Sequence, residues 1–158
     1  MTTRAKVFSS AFILLFYGSV SFAEVEVVKG GCIPGTYLMQ EGAGAQSLWT
    51  FSREGTVQMA SSAQGPLNFS DGQGAWKPSG SRKAKVTILD FTYGQNPPPD
   101  FVVRVDAELV FSKKCSTVEG NFELRFFDPQ SEDPLDPESD SGDPLSDTFT
   151  GRRVTTKK

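Results

Sequence analysis

Eleven residues, Phe101 to Phe111 (FVVRVDAELVF), restrict the fold more than any other stretch of this chain. Phe101, Val103, Val105, Ala107, Leu109 and Phe111 fall on one side of an extended backbone. Arg104, Asp106 and Glu108 fall on the other, with Val102 and Val110 at the ends. Side chains alternate between the two faces of a β-strand, so this is a long strand with one apolar and one wet face.

Similar but shorter patterns recur along the chain. Thr36–Gln40 places Tyr37 and Met39 on one face. Leu48–Arg53 and Thr56–Ser61 read as a hairpin turning at Glu54-Gly55, an acidic-Gly pair that favours a two-residue turn. Leu67–Phe69 reads as a short edge segment, and Gly74–Lys77 as a strand closed by Pro78-Ser79-Gly80. Lys85–Tyr93 changes parity, from Val86 and Ile88 to Leu89, Phe91 and Tyr93. The switch is expected to mark a β-bulge near Leu89, the alternative being that Asp90 points inward. Asn96-Pro97-Pro98-Pro99 is a stiff exposed connection in which no helix can form. Val118–Phe127, with Phe122, Leu124 and Phe126 inward, and Thr148–Thr155 complete the set. About eight strands and no helical periodicity make an all-β antiparallel barrel or sandwich.

The first residues carry Arg4 and Lys6, an apolar run from Val7 to Tyr17, and Ser21-Phe22-Ala23. These are the parts of a secretory leader, with cleavage expected after Ala23 and a single domain over 24–158. The run falls short of the roughly 20 residues that span a bilayer, and no other segment reaches that length. With Arg4 and Lys6 removed, 14 of the 16 basic residues remain against 19 acidic ones, a net charge of −5. Such a balance argues against a nucleic-acid binder and against a polybasic membrane-surface protein. Cys32 and Cys115 are the two cysteines, and in an exported protein they are expected to form a disulfide.

The chain has no histidine. Ser-His-Asp and Cys-His catalysis are therefore excluded, as are His-ligated zinc, copper and non-haem iron sites. Proton transfer near neutral pH would need a carboxylate, lysine or tyrosine with a displaced pKa. No cofactor is implied, and no catalytic residue is assigned.

Asp128–Asp147 (DPQSEDPLDPESDSGDPLSD) contains eight acids, no base and four Asp-Pro steps. It is expected to be a flexible, solvated loop, too polar to offset its own ordering entropy. Asp136, Glu138, Asp140 and Asp147 share the spacing of some EF-hand ligands. The sixth position is Ser141 rather than glycine and flanking helices are lacking, so no metal site is expected. Asn68-Phe69-Ser70 matches a glycosylation acceptor, a short and common pattern.

Gly35-Thr36-Tyr37 near the start, with Gly151-Arg152-Arg153 near the end, resembles the calycin superfamily. Lipocalins and their relatives carry Gly-x-Trp on the first strand, with an arginine of the last strand packed over the ring. Here Tyr37 stands in the tryptophan's place. Glu54-Gly55-Thr56 and Gly74-Ala75-Trp76 resemble small secreted lipocalin-like bacterial proteins. The resemblance implies an up-and-down barrel of about eight strands, closed by its first and last strands, with Gly35, Tyr37 and Arg153 structural. By analogy it implies an apolar ligand.

An eight-stranded barrel is either filled by side chains or holds one small ligand. The expected ligand-binding residues are Trp49, Trp76, Phe91, Val105 and Phe126, with Ala107 leaving space beside them. Two other readings remain open. One is an interaction module with a solid core that docks a cationic protein partner on the 128–147 loop. The other is a barrel isomerase or cyclase that uses Asp90 as an inward carboxylate, which requires a buried Asp90 with a raised pKa.

Overall fold

The computed structural model describes residues 31–94 and 100–157. The expected leader, the lead-in as far as Gly30 and the Asn96–Pro99 connection lie outside the described residues. Eight strands follow one another: β1 (Gly35–Glu41), β2 (Gln46–Phe51), β3 (Thr56–Ser61), β4 (Gly72–Gly80), β5 (Lys83–Thr92), β6 (Phe101–Phe111), β7 (Thr117–Phe127) and β8 (Leu145–Arg153). Each pairs antiparallel with the next, and β8 returns to β1. The result is a closed up-and-down barrel, and closure satisfies the backbone groups that an open sheet would leave at its edges.

The period-two pattern becomes the inner wall. Val105 lies across from Ile88 and Leu124, and Ala107 from Val86 and Phe122. Tyr37, Phe51 and Phe111 meet edge to face at 5.3–6.1 Å between ring centroids, with Trp76 5.8 Å from Phe51. Trp49 joins this group to Phe149, which stacks on Phe122. Such pairs each contribute roughly 0.5–1.5 kcal/mol beyond the area they bury.

One end of the barrel is plugged. The Cys32–Cys115 disulfide, with Cα atoms 5.8 Å apart, ties the entering chain to the β6–β7 turn. Ile33 is buried there and its carbonyl accepts a 3.0 Å hydrogen bond from the Tyr37 hydroxyl. The Arg153 guanidinium stands 5.4 Å from the centre of the Tyr37 ring and donates to Tyr37 Oη and to the carbonyls of Cys32 and Pro34. Burial pushes the Tyr37 hydroxyl pKa up, and the Arg153 charge offsets part of that rise. Gly35 has a φ of +143°, and a Cβ there would collide with the Arg153 guanidinium. Gly35→Ala is expected to lower unfolding stability by roughly 1–3 kcal/mol, because it combines backbone strain with displacement of Arg153. Gly65→Ala, where a Cβ meets open space, is the matched control and should change urea stability by less than about 0.5 kcal/mol. Equal effects of the two substitutions would contradict this account of the plug.

Several local expectations are corrected. The β2–β3 connection is a four-residue loop, Ser52–Gly55, because Ser52 Oγ gathers the amides of Glu54 and Thr56 while Gly55 takes a φ of +88°. Residues Gln64–Leu67 form a single helical turn (α1) rather than leading into an edge segment. It ends at Asn68 in the left-handed region, and Phe69 then makes one bridge to Thr92. The side chain of Asn68 donates to the carbonyl of Tyr93, so the glycosylation pattern coincides with a structural cap. Strand β4 runs on through Pro78 to Gly80, with a register shift at Pro78 that accommodates its missing N–H.

The acidic segment makes specific contacts with the barrel wall. It lies along the outside of β6 and β7, held chiefly by Arg104. That guanidinium bonds Asp106 at 2.6 Å, Asp140 at 2.8 Å and the carbonyl of Pro134 at 2.6 Å. Asp106 also accepts from Thr87 Oγ1 at 2.7 Å, and Arg125 reaches the carbonyl of Gly142 at 3.0 Å. Burial alone would lower the Arg104 pKa, but the bonds to Asp140 and Asp106 outweigh it and hold the group above its usual value. The hydrogen bond from Arg104 keeps the Asp140 carboxyl below the usual range. Asp128, Asp133 and Asp136 cap backbone amides inside the segment. Arg104→Met should therefore free this strap. The expected result is much faster proteolytic cutting within 128–144 and a loss of about 2 kcal/mol, less than a fully buried pair because Asp140 is part exposed. Unchanged cutting would contradict the assignment.

Candidate functional site

The end opposite the plug carries the long connections: β3–β4 with α1, β5–β6, and the acidic strap between β7 and β8. Strand β5 brings one unusual side chain to it. Its register against both β4 and β6 is continuous around Leu89, so there is no bulge there, and Ala84, Val86, Ile88 and Asp90 all face inward. The expected bulge is thus corrected. Asp90 is buried, at 4% exposure, beside Val103 on the inner wall. It makes no hydrogen bond to any described residue, and burial pushes its carboxyl pKa up to about 6. Among the described residues no fully buried polar side-chain atom lacks a partner. Asp90 lies two residues before Thr92, the end of β5, on the open side of the barrel.

Apolar side chains surround that opening. Phe101 and Phe126 contact each other edge to face at 6.0 Å, and Leu145 pairs with Leu124 on the inner side. Leu67 and Tyr93 stand on the neighbouring loops. All but Leu124 are exposed, and Phe69 packs onto the core from the same end. Two other carboxylates keep the inward parity at this end: Glu41 at the end of β1, and Asp147, which accepts from the amides of Ala43 and Thr148. No lysine or arginine among the described residues faces the interior here; Arg153 belongs to the plug.

The five expected ligand residues are not brought together. Trp49, Trp76 and Val105 are buried in the packed interior, and Trp76 lies toward the plug, where its indole N–H donates to the carbonyl of Ser52 at 2.9 Å. Phe126 keeps the inner parity across from Val103, but it stands at the rim, 45% exposed, beyond the filled part of the barrel. Phe91 faces outward, 43% exposed, across from Val102. Its outer-face neighbourhood is apolar because Phe127, also on the outside, is buried beneath the Arg104 guanidinium at 5.2 Å. Depressions of about 680 and 290 Å³ lie on the outer wall, the larger over Leu38, Val110, Thr150 and Gly151.

Among the described residues there is no cluster of three or more metal-ligating side chains, and no helix is long and apolar enough to cross a membrane. No family model matches the chain, and no curated protein matches it in sequence. A solved structure, that of EF1p2_mFAP2b bound to DFHBI, is similar at 14% identity over 78% of this chain and 94% of that chain, with a TM-score of 0.46.

Proposed function

We propose that this is an exported, calycin-like binding protein that receives a small, largely apolar molecule at the open end of its barrel. The carrying observation is the distribution of exposed apolar groups. Phe101, Phe126 and Leu145 crowd one rim, while the opposite end is sealed by a disulfide and an arginine plug. A solvent-facing apolar cluster of this kind stabilises nothing in the free protein and offers contact area to a guest. The disulfide and the leader-like residues up to Ala23 support export to the periplasm or the extracellular space. A hydrophobic fluorescent probe should bind saturably, and Phe101→Ser with Phe126→Ser should weaken it at least tenfold without changing the fold. Absence of saturable binding would end this reading.

Asp90 favours a second reading, proton transfer on a bound substrate. It is inward, buried and raised to about 6, as an acid–base group would need to be. No second group that could share such a reaction faces it among the described residues, so binding is preferred. Docking of a cationic protein on the 128–147 segment is less well supported, since Asp140 is already matched by Arg104 and Arg125.

A further inference from the structure

We propose that the ligand of the open end is an organic cation, an amine with an apolar body, whose ammonium group pairs with Asp90 while the body lies on Phe126, Phe101 and Leu145. This rests on the binding function above and names the class of guest.

The charge environment of Asp90 carries the inference. Its own strand sends Lys83 and Lys85 outward, where Lys85 pairs with Glu108 on the barrel's surface. On β6 its cross-strand neighbour is Val103, and the adjacent Arg104 faces the outer wall, bound to Asp106 and Asp140. On β4 the facing position, one step beyond the Gln73–Leu89 pair, is Gly72, which has no side chain. Met59 lies across Gly72 on β3. On the far wall, Asp147 is turned to the amides of Ala43 and Thr148, and Arg153 is committed to the plug. Around Asp90 the inner wall is chiefly apolar, its polar members at this end being Ser47, Thr92 and the carboxylates Glu41 and Asp147, and no lysine or arginine among the described residues faces it.

A carboxylate in such a place is either protonated or paired with a cation from outside. Asparagine or leucine would complete the same wall without that penalty. Asp90 stands two residues before Thr92, where β5 ends at the open side of the barrel. A cation arriving through the opening meets an acceptor with no competing donor among the described residues, and an anion meets repulsion. Aromatic faces at the rim add attraction for the same charge. The site thus selects for sign of charge as well as for apolar bulk.

The test uses the oxidised full protein and two dansyl probes, dansylcadaverine with its free primary ammonium and its N-acetylated neutral counterpart. Both are titrated by fluorescence at pH 7.5. The cationic probe is expected to bind about tenfold or more tightly than the neutral one. Asp90→Asn should abolish the difference. The preference should also shrink at pH 5, where Asp90 is largely protonated in the free protein. Equal binding of the two probes, or a preference that survives Asp90→Asn, would overturn the assignment while leaving the binding function standing. If neither probe binds saturably, both fall. A urea melt of Asp90→Asn reports that the variant is folded, so that loss of preference is not loss of structure.

Discussion

Removal of the disulfide, by Cys32→Ala with Cys115→Ala, is expected to lower unfolding stability by about 4–5 kcal/mol. The bond joins positions 83 apart, and releasing so long a loop returns that much entropy to the unfolded chain. Native proteins of this size have only about 5–15 kcal/mol in total, so the loss is a large fraction. The plug explains why the loss should be felt locally as well. Cys115 is fully buried, Arg153 donates to the Cys32 carbonyl, and the Tyr37 hydroxyl donates to Ile33 next to it. Without the bond, residues 32–34 are free to leave the barrel end and to expose Tyr37 and Phe111. Equilibrium urea unfolding measures the first effect and hydrogen exchange at residues 33–37 the second. A loss under about 1 kcal/mol would contradict the role assigned to the plug.

Asp90→Asn is expected to act in the opposite direction. The folded carboxyl titrates near 6 against an ordinary 3.8, so the native state holds the proton more tightly than the unfolded chain. Its contribution is fully favourable below about pH 4 and is lost as pH rises through 6. At pH 8 the buried charge is a penalty of about 3 kcal/mol at most, from the size of the shift. The asparagine variant should therefore be more stable than the parent at pH 8 by about 2–3 kcal/mol, and the two should converge toward pH 4. Asp140 works the other way. Its carboxyl is held low by Arg104, so its contribution is present above about pH 4 and disappears as the solution becomes more acid. Urea melts of both proteins from pH 4 to 8, above the range in which the Asp140 contribution disappears, isolate the effect of Asp90. A parent protein whose stability is flat across pH 4–7 would contradict the burial of Asp90.

The strands with one wet face were legible in the sequence. Strand β6 alternates as its residues suggest, and Tyr37–Met39, Trp49–Phe51 and Val57–Met59 all face inward. What misled was the region where the outer wall is also covered. Leu89, Phe91, Val102 and Phe127 sit outside, next to Arg104 and the acidic strap, so apolar residues occur on both faces there. Period two cannot then tell inside from outside, and Leu89 and Phe91 were enough to suggest a bulge that is absent. The same strap was unreadable in composition, because its eight acids look solvated until Arg104 is seen beneath them. A signal did exist: Arg104 and Arg125 fall at matching outward positions on adjacent strands, a cationic pair facing a segment of opposite charge. Of the candidate site, the sequence offered Asp90 only as an alternative and Phe126 as a lining residue. Which barrel end stays open follows from loop lengths and the disulfide together, which no single stretch displays.

Asp90 is a buried carboxylate without a partner among the described residues, near the open end of a filled barrel, and carboxyl carbon NMR reads its titration directly. Free protein should show a titration midpoint about two units above that of an ordinary aspartate, near 6. Saturating dansylcadaverine should draw the midpoint down. A midpoint near 4 in the free protein, unmoved by the cation, would mean that Asp90 is solvated or already partnered, and would contradict the account.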